Sequence, residues 1–531
     1  MRNGTGSGIG RRTALGAMAG IGAATLLPAG ARGQRVEIRM EDTTTAGPPR
    51  RGGRITMLIR LDAANIDPHT AVETSAWVIV DQIYESLLES VRGELRPAIA
   101  ERWEVSADGL TYTFHLRADS RFHRSDRAVT SADVKYSLER IQNPATASPG
   151  RRSFEGITAI DTPDARTVVL RLAEPHAPLL TLLSSNRASI VDRAVAEAPG
   201  GLNGSVGGGS GPFVLTRRVV GQRFVLNRNP NYWAETQPYV DGIDITFNPD
   251  DNARAAAIRS GTVNFLWRAA PEFIDSLKAA PGLKWFGGEG SLSLHLRLNT
   301  SRRPYDDVRV RQAIFHAIDR GEILEIANSG HGQPLFGGYL PPDRWGGLRT
   351  PVHGAPDLAR ARALLADAGF RQGFQTTLTV NASSAFQLRS AQVIQAQLQQ
   401  IGIRITLRPV ESTVANAATR NNDFDLFQSG FSLSLDPDER LTSAFATGGG
   451  LNFGNWSDPE YDRLLAAARA ERDRAARELL YHESERILAT RGPVAMTWVS
   501  ADYDVISERI MGYRGDSSPS YRFTKALWFR A

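Results

Sequence analysis

His482-Glu483 opens in the manner of an H-E-x-x-H zinc helix, in which two imidazoles one turn apart hold the metal and the glutamate activates water. Arg486 stands where the second histidine belongs, so that chemistry is missing. Gly208-Gly209-Ser210-Gly211 begins like a G-x-S-x-G nucleophile elbow, but Pro212 occupies the place of the closing glycine. There is no G-x-x-x-x-G-K-[ST] loop to cradle a nucleoside triphosphate. The nine histidines are scattered singly, and the chain has no cysteine, which removes thiolate metal sites, thiol nucleophiles and disulfides. Asp250-Asp251 and Asp306-Asp307 precede helical segments and read as caps, not as a glycosidase carboxylate pair. A secreted hydrolase or transferase would need a nucleophile–base pair or a metal cluster, and the sequence supplies neither. No catalytic residue, metal ligand or cofactor is expected.

The elements that position a binding site must be found in a chain of 531 residues, long enough for two or three domains. Its 41% hydrophobic and 22% charged residues are those of a globular protein. The formal charge is only +5, and three of the arginines (Arg2, Arg11 and Arg12) lie in an acid-free leader whose removal leaves +2. The remaining basic residues are interspersed with acids along the whole chain, so no stripe faces a phosphate backbone and nucleic acid is not an expected partner.

Residues 1–31 read as an export signal. Arg11-Arg12 precedes a weakly apolar, Gly/Ala-rich run of about 14 residues, and Pro28-Ala29-Gly30-Ala31 offers an A-x-A cleavage site. The run is short of the ~20 residues a spanning helix needs. The arginine pair points to twin-arginine export, with an ordinary Sec signal as the alternative. Without a cysteine after the leader, the mature protein is expected to be periplasmic and not lipid-anchored. Residues 32–53, polar and rich in Pro and Gly, read as a flexible leader.

Beyond it the pattern becomes ordered. Arg54–Leu61 alternates Ile55, Met57, Ile59 and Leu61, and Thr111–Arg117 alternates Tyr112, Phe114 and Leu116, both strand signatures. Thr130-Ser131-Ala132-Asp133 is a capping box leading into a helix over Val134–Ile141. Gly200–Gly211 is a glycine-dense domain crossing. Val310, Ala313, Ile314, Ala317 and Ile318 share one helix face, and helices are also expected over Asp357–Ala368, Ser390–Ile401, Pro459–Ala470 and Arg474–Leu488. Strands and helices intermix without a repeat, so the class is α/β.

These blocks resemble the family 5 solute-binding proteins, the dipeptide, oligopeptide and nickel receptors of ABC importers. The resemblance rests on Gly52-Gly53-Arg54, Ile66-Asp67-Pro68-His69, Ile83-Tyr84-Glu85-Ser86-Leu87, the run Asp108–Arg117, and Thr130–Ser137. It continues through Gly209-Ser210-Gly211-Pro212-Phe213, Arg228–Trp233, Asn299-Thr300, Pro304–Ala313 and Asp436-Pro437, and Arg124-Ser125 departs from it where the family has an Asp-Gly turn. It implies a bilobal periplasmic-binding-protein fold with an extra domain on the first lobe. By similarity, lobe I takes 54–83, 209–300 and 498–531, the extra domain 84–208, and lobe II 301–497. It implies a monomer that captures a small solute, peptide or peptide-like, and delivers it to an inner-membrane ABC permease. A nickel chelate, an opine or a sugar oligomer remains the alternative within the same fold.

The resemblance also nominates ligand-facing residues. In peptide receptors of the family an aspartate three residues after an aromatic meets the ligand's amino group. Here the aromatic is Phe431 in Gly430-Phe431-Ser432-Leu433-Ser434, and Ser434 stands in place of the aspartate. The nearby Asp436 precedes Pro437 and reads as a turn-former. Dipeptide receptors carry an arginine before the helix at Ser390, and Asn381-Ala382-Ser383-Ser384 has none. Both charge clamps of a dipeptide site are thus replaced by neutral groups, among them Ser432, Ser434, Ser383 and Ser384. In lobe I, Trp267 is a candidate for stacking on a planar solute or for ordinary packing. Arg268 is a candidate partner for a carboxylate or an exposed charge, and Thr74 and Trp77 are further candidates.

Overall fold

The computed structural model describes residues 38–42, 47–91, 93–204, 208–288, 290–382, 384–515 and 520–531. The export signal expected over 1–31 lies outside the described residues.

Two mixed sheets organise the chain. The first has seven strands in the order Leu283–Gly287, Tyr503–Ser507, Phe265–Leu266, Arg54–Ile59, Gly242–Phe247, Arg223–Arg228, Phe213–Val219. Arg54–Ile59 is central and runs parallel to both neighbours. Its Ile55, Met57 and Ile59 enter one core while Leu58 packs with Ile258 and Leu266 on the opposite face, so this strand is covered on both sides. The expected alternation stops one step early: the strand ends at Ile59, and Leu61 is 60% exposed.

The second sheet has six strands, Gly332–Pro334, Val494–Ser500, Leu292–Leu298, Leu426–Ser432, Phe374–Asn381 and Ile403–Val410. The helices Val308–Ala317 and Leu358–Asp367 are capped by Asp307 and Asp357, and Ala385–Gln399 begins five residues ahead of the expected start at Ser390. A third, four-stranded antiparallel sheet carries Ala100–Val105, Thr111–Leu116, Thr167–Leu172 and Ile157–Asp164, with the capping-box helix Ser131–Gln142 against it.

The chain passes between the two large sheets twice, between the strands that end at Gly287 and begin at Leu292, and between those that end at Ser500 and begin at Tyr503. Leu292–Leu298 and the end of Val494–Ser500 therefore belong to the second sheet, whereas the boundaries expected at 300/301 and 497/498 would have placed them in lobe I. Both strands are buried along nearly their whole length, and burial pattern alone does not say which of two buried sheets a strand joins. The glycine-dense crossing is a close approach: Gly209 and Gly211 pass the backbone of Ile83 so tightly that a Cβ would lie 2.0 Å and 2.7 Å from its carbonyl atoms. The flexible leader needs a correction over 38–42. Arg39 pairs with Gly287 on the edge of the first sheet, and Asp42 forms a 2.8 Å ion pair with Lys284. An open sheet edge offers unpaired backbone groups, and this segment covers them.

Candidate functional site

A cavity of about 530 Å³ opens where the three bodies meet. The lobe I side contributes the start of the helix Thr74–Ile83, with Thr74 and Trp77 in the wall. The extra domain contributes the polar turn around Ser185, Asn186 and Arg187. Lobe II contributes the end of the strand Leu426–Ser432, the loop through Ser434, and the helix Pro437–Phe445, whose Glu439 and Arg440 face the cavity. A second chamber of about 770 Å³ shares Ser90, Thr181, Leu433, Ser434 and Leu435 with the first, so the cleft continues past the Ser434 loop.

Two aromatic rings carry charges in this wall. The Arg187 guanidinium lies 5.1 Å from the ring centre of Trp77 and donates to the Ala71 carbonyl at 3.3 Å. Burial, together with the nearby Arg440 and against the pull of Glu439, brings the Arg187 pKa down to about 10. Phe431 has Arg440 5.4 Å away and Arg297 5.0 Å away. Arg440 Nε donates to the Ser432 carbonyl at 3.2 Å, which also accepts from the Tyr339 hydroxyl at 2.8 Å. Arg297 is fully buried, and burial lowers its pKa to about 9. At the far wall Arg522 is held by Asp81 at 3.4 Å, by the Ser184 carbonyl and by Ser86 Oγ.

Five sequence candidates come together here: Thr74, Trp77, Phe431, Ser432 and Ser434. The Ser434 hydroxyl donates to the Asp436 carbonyl at 2.6 Å, and the Asp436 carboxylate caps the helix Pro437–Phe445 and pairs with Arg477 at 2.6 Å. Asp436 is thus a structural acid outside the wall of the first cavity, although it lines the second chamber. Ser383 lies outside the described residues. Ser384 sits at the start of the helix Ala385–Gln399 and is not part of the cavity wall.

Trp267 and Arg268 are corrected. Trp267 is 6% exposed and packs edge-to-face on Tyr521 inside the lobe I core. Arg268, at φ 45°, donates to Ser291 Oγ at 2.7 Å and lies 3.5 Å from Asp502, so it braces the crossing segments and does not wall the cavity. The strand ends at Leu266, and the left-handed turn at Arg268 carries its side chain toward the crossing, a redirection that no local pattern announces.

Arg187, Glu439 and Arg440 were not singled out in the sequence. Glu439 and Arg440 follow Asp436-Pro437, read above as a turn; the helix Pro437–Phe445 starts there, and no local pattern says which side of it faces the cleft. Among the described residues no three His, Asp or Glu side chains gather as a metal site. The Ser434 hydroxyl bonds to a backbone carbonyl and not to a general base, so this hydroxyl is not set up as an activated nucleophile.

Residues 94–453 match the family described as bacterial extracellular solute-binding proteins, family 5 middle. A di/tripeptide-binding protein 2 of Pseudomonas aeruginosa is 30% identical over 450 residues, 79% of this chain and 84% of that protein. Among solved structures, the binding protein AgaA of A. tumefaciens R10, in complex with agropinic acid, has a TM-score of 0.83 at 26% identity, covering 90% of this chain and 99% of that one. DppA of Helicobacter pylori, in complex with the peptide STSA, has a TM-score of 0.82 at 25% identity, covering 91% and 99%.

Proposed function

Since the chain belongs to the bacterial extracellular solute-binding proteins of family 5, we propose that it captures a peptide or peptide-like solute between its lobes and delivers it to the permease of an ABC importer. The observation that carries this reading is the cavity itself, walled at once by Trp77, Arg187 and Phe431 from three separately folded bodies. A site assembled that way exists fully only when the bodies approach, which is how a trap couples binding to closure. The family's binding role and the absence of a base beside Ser434 support a receptor over an enzyme. We further propose that the protein acts outside the cytoplasm as a monomer, exported through its Arg11-Arg12 leader without a lipid anchor.

The second reading, a non-peptide solute such as an opine, is favoured by one feature: a serine, Ser434, stands at the position where peptide receptors of the family place the acid for a free amino group. The AgaA likeness is compatible with it.

The test is native mass spectrometry of the purified protein, followed by addition of the identified solute. At a hundredfold excess over its dissociation constant the solute should add about 2.7 kcal/mol to unfolding stability. The melting temperature should rise and the scattering radius shrink together. Stabilisation without compaction would argue against a closing trap.

A further inference from the structure

Arg187 and Arg440 reach the cavity from different bodies, the first on the turn Asn186–Ala188 of the extra domain, the second on the lobe II helix Pro437–Phe445. Each guanidinium is laid against an aromatic ring, Trp77 or Phe431, and each donates to a backbone carbonyl, at 3.3 Å from Arg187 and at 3.2 Å from Arg440, which also meets the Tyr339 side chain. Stacking of this kind fixes the plane of a guanidinium and leaves other N–H donors free to point outward.

Their charge accounting differs from that of Arg522 and Arg477, whereas the exposed Arg420, also in the wall, likewise has no carboxylate within 4.0 Å among the described residues. Arg522 has Asp81 and Arg477 has Asp436 within ion-pair distance. Among the described residues, no carboxylate lies within 4.0 Å of Arg187 or Arg440. The wall's acids are Glu73 and Glu439; Glu439 moderates the field at Arg187 without pairing to it. The two arginines sense each other, since Arg440 is one cause of the lowered Arg187 pKa. Below the wall, Arg297 adds a further buried cation with no carboxylate partner among the described residues. Its Nε and Nη2 have no hydrogen-bond partner there, and its Nη1 donates to the carbonyl of Phe453, itself a wall residue. Two like charges lining one low-dielectric cleft repel, and an anion bound between them would turn that repulsion into two charge-assisted hydrogen bonds.

We infer that Arg187 and Arg440 form a cross-cleft clamp for a carboxylate of the solute, so that the captured molecule is an acidic peptide or a carboxylated peptide-like compound. The inference rests on the receptor reading above and narrows it to a ligand class. An anion held by one arginine from the extra domain and one from lobe II also ties the bodies together, so recognition and closure share the same contact.

The probes are two pools of N-acetylated tripeptides that differ only in charge: one containing Asp or Glu with free C-termini, the other with the matching amides throughout. Affinity selection with mass detection, followed by calorimetry on retained species, reads the preference. The expected result is retention from the acidic pool, a ten- to hundredfold loss of affinity for the same species in Arg187→Gln and in Arg440→Gln, and little change for amide counterparts. Circular dichroism and the melting temperature of the unliganded variants establish that both still fold, and Arg440→Lys should recover part of the loss. Equal retention from both pools overturns the clamp, as does a preference for acids that survives both substitutions. If neither pool is retained, the solute that copurifies decides: a carboxylated solute lost from the double variant supports the clamp, and one without a carboxylate overturns it. Absence of any retained or copurifying solute overturns the receptor reading and the clamp with it.

Discussion

Arg268 stands 3.5 Å from Asp502, and Ser291 bridges them, accepting from Arg268 at 2.7 Å and donating to Asp502 at 2.6 Å. Ser291 lies in one crossing between the sheets and Asp502 in the other, so the triad ties the two hinge segments to the lobe I strand that ends at Leu266. A hydrogen bond to a charged group contributes about 1.5–3 kcal/mol. We therefore predict that Arg268→Ala lowers the melting temperature and changes the affinity for anionic and neutral solutes by the same factor. Calorimetry with a charged solute and its amide would refute a bracing role if only the anion were affected.

The Ser434 position yields a second prediction. A dipeptide brings a terminal ammonium into the cleft, and a buried unpaired charge costs several kcal/mol. Ser434 presents a hydroxyl already donated to the Asp436 carbonyl. Free dipeptides should bind weakly, in the high-micromolar range or worse, and Ser434→Asp should tighten them by about tenfold or more, the scale of one charge-assisted bond. Sub-micromolar binding of free dipeptides to the unaltered protein would mean that another acid, with Glu73 and Glu439 the candidates in the wall, takes the ammonium.

Stability should depend on pH through Glu485. This carboxyl is buried in lobe II, accepts from the Leu340 amide at 3.0 Å, and is pushed up to about 8 by burial. A carboxyl raised on folding is protonated in the native state across the range where the unfolded chain has lost the proton. Its contribution is complete below the unfolded value of about 4.3 and is lost as pH rises to about 8. The melting temperature should fall between pH 5 and pH 8, and Glu485→Gln, which keeps an acceptor for Leu340, should flatten that slope. An unchanged slope in the variant would assign the pH dependence to other groups.

Export gives the fourth prediction. Replacing Arg11 and Arg12 with lysines should leave uncleaved precursor in the cytoplasm, whereas the unaltered chain should be cut after Ala31. Fractionation with N-terminal sequencing reads both. Normal export of the lysine variant would assign the leader to the general secretory route.

Much of the architecture was legible from local chemistry. The period-2 run at Thr111–Leu116, the Thr130/Asp133 capping box and the Asp307 and Asp357 caps each specify an element through contacts within a few residues. The ordered blocks identified the family, and with it the cleft and the places of Phe431 and Trp77. What the sequence could not determine is direction and partnership over long separations. Trp267-Arg268 and Glu439-Arg440 are both dipeptides near an element end, yet the first pair turns into the core and the hinge and the second into the cleft. That difference is decided by Tyr521, Ser291 and Asp502, which meet Trp267 and Arg268 only after the chain has crossed between the sheets. Arg187 acquires its role the same way, from a tryptophan 110 positions earlier whose ring it covers. Hydrophobic periodicity reports which face of an element is buried. It carries no information about which charge will be left unpaired beside which ring, because that is a property of packed bodies and not of a strand or a helix.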